Sequence, residues 1–93
     1  MSTRTVRKIF TVINDKGLHT RPSTELVKCA SCFRSQIRLH YHSLEVDAKS
    51  LLDILILGAA KGSKIEIIAT GDDAAEAVDA ILQLANRKFH INY

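Results

Sequence analysis

The fold class is decided by residues 7–33, RKIFTVINDKGLHTRPSTELVKCASCF, where the pattern of apolar residues changes. Arg7 to Ile13 is rich in β-branched and aromatic residues and ends at the turn formers of Asn14 to Gly17, which predicts a strand and then a loop. From Pro22 to Phe33, apolar residues recur at spacings of three and four, which predicts an amphipathic helix. Pro22 suits the first helical turn, where a missing N–H breaks no hydrogen bond.

The remaining sequence predicts three more strands and two more helices. The hydroxyl of Ser50 and the acid of Asp53 have the spacing of a capping box, so a short helix is expected to begin there and to stop near Gly58. An Ala-rich segment after Gly71 predicts a final helix that frays among Arg87 to Tyr93. The three strands are expected at Gln36 to Tyr41, Leu44 to Asp47 and Lys64 to Thr70.

This order of elements predicts an α+β fold of βαββαβα order. We expect an open-faced β-sandwich: a four-stranded antiparallel sheet with three helices on one face and solvent on the other. No repeat, linker or low-complexity segment marks a second domain, so residues 1–93 are expected to form a single domain.

The composition limits the kinds of function to consider. The 93 residues are 46% hydrophobic and 25% charged, with a net charge of +3, so the chain can bury only a modest core and its function is expected at the surface or a shallow site. The longest nearly apolar stretch, Leu51 to Ala60, is too short to span a bilayer, and residues 1–8 lack the pattern of an export signal. We therefore expect a cytoplasmic protein without membrane insertion. Scattered basic residues and few aromatics argue against nucleic-acid binding.

The segment most informative about chemistry is Gly17 to Ser23, because it places His19 where a glycine-bearing loop enters a helix. The free N–H groups and positive dipole end of a helix favour an anion, so a phosphoryl group on the His19 ring would be stabilised. A neutral ring nitrogen keeps the lone pair that attack on phosphorus requires. Arg21 could neutralise phosphoryl charge during in-line transfer. Taken individually, His19 and Arg21 are explained more simply as an ordinary helix-start residue and a solvated charge.

Three segments together carry a family resemblance: G-L-H-T-R-P at 17–22, A-K-S-L-L at 48–52 and G-A-A-K-G at 58–62. In this order they resemble the histidine-containing phosphocarrier (HPr) family of the bacterial phosphoenolpyruvate-dependent phosphotransferase system, from about Val6 to about Leu84. The resemblance implies that His19 is phosphorylated on Nδ1, with Arg21 as its electrostatic partner. It also implies that enzyme I donates the phosphoryl group and enzyme IIA domains receive it, in a sugar-uptake or a nitrogen-related branch.

The resemblance also implies a regulatory site and a docking surface. Ser50 would be the target of an HPr kinase/phosphorylase, although its position as a helix N-cap already explains a serine there. The partner-binding residues would be Thr20, Thr24, Lys28, Leu51, Leu52 and Leu55, for which core packing and solvation are the plain alternatives. A carrier that meets two partners through one face is expected to be a monomer without a cofactor. The alternative function is a regulatory protein-binding module controlled by Ser50.

Two further patterns suggest metal or redox chemistry only weakly. Cys29 and Cys32 form a C-x-x-C pair, but they fall late in the first predicted helix, where a thiolate is not stabilised, and a zinc site would lack its other ligands. His40 and His42 are two residues apart on one predicted strand face, which solvation explains. We therefore expect no metal site.

Overall fold

The structure, a computed structural model, describes residues 4–93. Residues 1–3, part of the segment in which no export signal is expected, lie outside the described residues. The elements are the strands β1 (Thr5–Thr11), β2 (Gln36–Tyr41), β3 (Leu44–Asp47) and β4 (Lys64–Thr70), the helices α1 (Thr20–Ala30), α2 (Leu51–Ile56) and α3 (Ala74–Asn86), and a 3₁₀ turn at Lys88–His90. The predicted βαββαβα order is confirmed.

The four strands form one antiparallel sheet in the order β1-β4-β2-β3. Phe10 of β1 pairs with Ile65 of β4, and Leu39 of β2 pairs with Ile67 of β4. Every pairing in the sheet is antiparallel. β1 is an edge strand, and the chain passes from its C-terminal end into the loop that carries His19.

The two faces of the sheet differ as the alternating pattern predicts. Ile65, Ile67 and Ala69 of β4 are fully buried on the face that the helices cover. The opposite face carries ion pairs, with Arg7 and Glu66 joined at 3.5 Å and others on β2 and β3, together with an Ile9 side chain that is 61% exposed. The open-faced sandwich is therefore confirmed.

The first helix differs from its prediction at both ends. It begins at Thr20 rather than Pro22, and it ends at Ala30 rather than Phe33, so Cys32 lies beyond it. The early end has a tertiary cause, because the N–H groups of Arg34 and Ser35 donate to the Asp73 carboxylate, at 2.9 Å each, and the chain must turn to reach it. No helix in the described part of the chain has the length and apolarity needed to cross a membrane.

The prediction of a frayed C-terminal segment is wrong. Phe89 is fully buried, and its ring packs edge-on against Phe10 with centroids 6.0 Å apart. The Asn14 side-chain amide donates to the carbonyls of Lys88, at 3.0 Å, and Ile91, at 2.9 Å. Three consecutive residues, 88–90, have φ between 55° and 62°, a left-handed backbone that persists only where surrounding contacts enforce it.

Candidate functional site

The loop that leads to His19 is fixed against the segment that follows α2. Gly17 has φ of +70°, and a Cβ at this position would lie 2.4 Å from the Ala59 carbonyl oxygen. The N–H of the next residue, Leu18, donates to that same oxygen at 2.9 Å. Only glycine fits this approach, because both the backbone angle and the space exclude a side chain.

His19 is the N-cap residue of α1, with an extended backbone and a side chain that makes no capping hydrogen bond. The junction is held instead by Ser23, a buried residue whose hydroxyl donates to the Leu18 carbonyl at 3.0 Å and whose N–H donates to the His19 carbonyl at 3.1 Å. The N–H groups of Thr20 and Arg21 belong to the first turn, where no earlier helical carbonyl can accept them. His19 itself is half-buried, and it directly precedes these free helix donors in the chain.

Tyr93 contacts both residues that the sequence assigns to the chemistry. Its ring stacks on the His19 ring, with centroids 5.4 Å apart and planes inclined by 20°. Its main-chain oxygen lies 3.2 Å from His19 Nε2. The Arg21 guanidinium donates to its phenol oxygen. The structure therefore brings His19 and Arg21 together through a third residue.

The sequence alone did not identify Asn14, Phe89 and Tyr93. Tyr93 contacts His19 and Arg21, and Asn14 and Phe89 hold the C-terminal segment that carries it. Two weak signals were present: an asparagine among turn formers, which can bond to a distant backbone, and aromatic residues in a segment expected to fray. Neither signal indicates which residue will be contacted, because Asn14 and Lys88 are 74 residues apart in the chain.

The charges near His19 favour an anion. No acidic residue lies in the first turn of α1, and the Lys16 ammonium lies 4.9 Å from the centre of the Tyr93 ring. The nearby acid, Asp15, is bonded to Lys61 at 3.0 Å, and this hydrogen bond and charge lower the pKa of the Asp15 carboxyl below its ordinary value. The helix dipole adds to this positive field.

Ser50 is the N-cap residue of α2, as the sequence predicts. Its hydroxyl accepts a hydrogen bond from the Asp53 N–H at 3.3 Å. The second half of the capping box does not form, because the Asp53 carboxylate accepts from the Asp47 N–H at 3.2 Å instead. Ser50 is half-buried, and its hydroxyl already caps α2.

The residues expected to bind partners lie on α1 and α2, which pack against each other. Leu52 is 73% exposed, and Ile56, which the sequence analysis did not select, is 63% exposed one helical turn later. The other residues are exposed at Thr20 and Lys28 and half-buried at Thr24, Leu51 and Leu55. Leu52 and Ile56 therefore form an apolar patch on α2, referred to below as the α2 patch.

The two cysteines are free thiols in different surroundings. Burial, with a smaller effect of the neighbouring Cys32, raises the pKa of the Cys29 thiol. The exposed Cys32 thiol donates to the Lys28 carbonyl at 3.3 Å. A raised pKa is the opposite of what a reactive thiolate requires.

The histidine pair does not share a strand as predicted. His40 lies on β2, whereas His42 lies in the turn that follows it, with φ of 55°. Within residues 4–93, no three His, Cys, Asp or Glu side chains are grouped so that they could hold a metal ion.

Comparison with known proteins adds a family and several similar structures. Residues 6–87 match the family model described as "PTS HPr component phosphorylation site". HPr-C-His from Thermoanaerobacter tengcongensis is 35% identical, with a TM-score of 0.89 over 95% of this chain and 99% of that chain. A phosphocarrier protein HPr from Bacillus anthracis is 34% identical, with a TM-score of 0.81 over 85% of this chain and 94% of that chain.

A further similar structure bears on oligomeric state. It is an HPr dimer from Thermoanaerobacter tengcongensis, 39% identical, with a TM-score of 0.74 over 86% of this chain and 92% of that chain. Because a similar protein forms a dimer, the monomeric state expected from the sequence stays a prediction.

Proposed function

Because the chain belongs to the HPr family of the phosphotransferase system, as its motifs predicted, we propose that it carries a phosphoryl group on Nδ1 of His19. The group is accepted from phosphorylated enzyme I and passed to enzyme IIA domains. The observation that carries this proposal is the position of His19, whose ring precedes α1 without capping it. The ring is therefore available to an anion at the positive end of the helix.

The contacts of the site support a simple transfer step. The Nδ1 lone pair of neutral His19 attacks the phosphorus of the phosphohistidine of enzyme I, so one N–P bond forms as the other breaks. The leaving imidazole of enzyme I takes back its electron pair. The Arg21 guanidinium and the N–H groups of the first turn of α1 stabilise the charge on the phosphoryl oxygens. Transfer to enzyme IIA repeats the step with the roles exchanged.

The α2 patch supports the docking part of the proposal. It is apolar, exposed and on the helix whose C-terminal end adjoins the His19 loop through Ala59. A Leu52→Glu variant should raise the KM for phosphorylated enzyme I about tenfold while kcat changes little, because a charge replaces apolar contact area. Leu44→Glu, at an exposed leucine on β3, is the matched control. Equal effects of the two variants would contradict docking through α2.

The central experiment is phosphorylation of the purified protein with phosphoenolpyruvate, magnesium and purified enzyme I. Intact mass should show one acid-labile phosphoryl group, lost in His19→Ala and kept in His40→Ala, which removes a histidine from the open sheet face. Addition of an enzyme IIA domain should then discharge the group. A phosphoryl group that survives in His19→Ala would disprove the assignment.

Absence of phosphorylation with several different enzymes I would favour the other function, a binding module controlled through Ser50. The decisive assay would then be an ATP-dependent kinase acting on the protein and on Ser50→Ala. The structure gives this function less support, because the Ser50 hydroxyl already caps α2 and Asp53 places a negative charge in the same turn.

A further inference from the structure

Tyr93 is held where it can act on the site. Its main-chain oxygen accepts from the Lys16 N–H at 3.0 Å, in the loop before His19. Buried Phe89 and the hydrogen bonds of Asn14 fix the chain that leads to it. The left-handed backbone at 88–90 shows that these contacts outweigh local strain. The ring therefore reaches His19 from a fixed segment.

We propose that Tyr93 is a positioning residue for phosphoryl transfer, an inference that rests on the proposed function of His19. It acts on the reacting groups in three ways. Its main-chain oxygen selects the tautomer of the imidazole, its ring fixes the plane of the imidazole, and its phenol oxygen fixes the Arg21 guanidinium.

The tautomer follows from hydrogen-bond chemistry. A main-chain oxygen can only accept, so the 3.2 Å contact requires His19 Nε2 to carry the proton. In the neutral ring, Nδ1 then holds the free lone pair. This is the nitrogen that the proposed transfer uses, so the contact favours the reactive tautomer before any partner arrives.

The stacking geometry leaves the path of attack open. The Nδ1 lone pair lies in the plane of the imidazole, whereas Tyr93 covers one face of that ring at an inclination of 20°. The ring can therefore stay in place during transfer and hold the imidazole plane toward the phosphorus. As Nδ1 bonds to phosphorus, the imidazole gains positive charge, which an aromatic face stabilises.

The phenol of Tyr93 orients the Arg21 guanidinium. Arg21 Nη1 donates to the Tyr93 oxygen at 2.5 Å, and the guanidinium carbon lies 5.6 Å from the centre of the Tyr93 ring. A guanidinium has five N–H donors, so this bond leaves others for phosphoryl oxygens. An exposed arginine is otherwise free to rotate, and orienting it in advance lowers the ordering cost in the transition state.

The test compares two variants that separate these effects. Tyr93→Phe keeps the ring and removes the phenol oxygen, so kcat for phosphoryl acceptance should fall about three- to tenfold, as for loss of one hydrogen bond, with KM unchanged. Tyr93→Leu removes the aromatic ring, so kcat should fall by more than tenfold. Tyr41→Phe, which removes a phenol bonded to Ser63, is the matched control.

A readout on the unphosphorylated protein distinguishes positioning from a structural role. The ¹⁵N chemical shifts of His19 should report protonation at Nε2 in the unaltered protein, in Tyr93→Phe and in Tyr93→Leu, because all three keep the main-chain oxygen. A variant truncated after Asn92 lacks that oxygen and should show a mixture of tautomers. Thermal unfolding of all variants checks that the fold is retained.

The failures of the inference and of the proposed function are distinguishable. Unchanged kcat in Tyr93→Leu, together with Nε2 protonation that persists in the variant truncated after Asn92, would overturn the positioning role while leaving His19 as the acceptor. Faster acceptance in Tyr93→Leu would overturn it in favour of a lid over the ring. If the unaltered protein accepts no phosphoryl group, the proposed function fails, and the ¹⁵N shifts still report whether Tyr93 selects the tautomer.

Discussion

The N-termini of α1 and α2 differ in how the residue before the helix uses its side chain. Ser50 accepts a hydrogen bond from the Asp53 N–H, and Asp53 adds a carboxylate to the first turn of α2. His19 holds the same position before α1, but its ring makes no capping bond and the first turn contains no acid. The positive end of α2 is therefore satisfied locally, whereas that of α1 remains available to an anion.

The N-terminus of α3 shows a third use of the same position. Asp73 makes no capping bond to its own helix, and its carboxylate instead accepts from Arg34 and Ser35, in the segment between α1 and β2. The Ser50 side chain thus caps its helix, the Asp73 side chain binds another segment, and the His19 side chain remains available for reaction. A helix start becomes a candidate reactive site when its own side chain is not needed to complete the helix.

The largest expected effect comes from changing the loop that delivers His19. Gly17→Ala should lower the free energy of unfolding by about 3 kcal/mol, because a Cβ both opposes the positive φ and overlaps the Ala59 oxygen. Gly58→Ala, also at positive φ but with no atom within 4 Å, should cost only about 1 kcal/mol. Denaturant unfolding measures both. Equal losses would show that the approach to Ala59 is unimportant.

A smaller effect is expected from making α1 resemble α2. Thr20→Asp places a carboxylate in the first turn of α1, which should slow phosphoryl acceptance by His19 on the order of tenfold through repulsion, yet leave stability unchanged or slightly higher. The control is Ala75→Asp, which makes the same change in the first turn of α3. Gly71, just before α3, bonds to Arg4, just before the start of β1, whereas the His19 loop follows the end of β1. The transfer rate of Ala75→Asp at saturating enzyme I should match that of the unaltered protein. A normal rate in Thr20→Asp would contradict the electrostatic argument.

Removing the cap of α2 tests whether Ser50 serves only the stability of its helix. Ser50→Ala should lower the free energy of unfolding by about 1 kcal/mol, because the Asp53 N–H loses its partner. Phosphorylation of His19 should continue at its usual rate. Ser43→Ala, at an exposed position in the turn between β2 and β3, controls for loss of a hydroxyl. Thermal unfolding measures the loss of stability, and the transfer assay measures phosphorylation of His19. Slower transfer in Ser50→Ala would show that the N-terminus of α2 affects the reaction at the N-terminus of α1.

The smallest effect concerns Asp73 and appears only as a pH dependence. The Ser35 hydroxyl, followed by the Arg34 N–H, lowers the pKa of the Asp73 carboxyl below its ordinary value of 3.8. Its stabilising contribution is therefore complete above about that value and is lost as pH falls through the lower folded pKa. Asp73→Asn should be less stable than the unaltered protein at neutral pH, and the difference should shrink in acid. A difference that does not change with pH would rule out the carboxylate as its source.

Local pattern was sufficient for most of the fold because each element has its own signal. The alternation at 36–41 and the strand-like run at 64–70 predicted both strands with the bounds observed, and Ser50 marked the start of α2. The errors arose where a distant contact decided the outcome. α1 ends early because Asp73 binds the residues after it, and the C-terminal segment is ordered because Asn14 and Phe10 hold it.

By itself, the sequence determined the order of elements, the open sheet face and the family, because these follow from the period of apolar residues and from short contiguous motifs. It also identified His19 and Arg21 as the residues to examine. Only the tertiary structure decided what surrounds them. Tyr93 lies 74 residues from His19 in the chain, and no local pattern reports that a segment predicted to fray returns to stack on an imidazole.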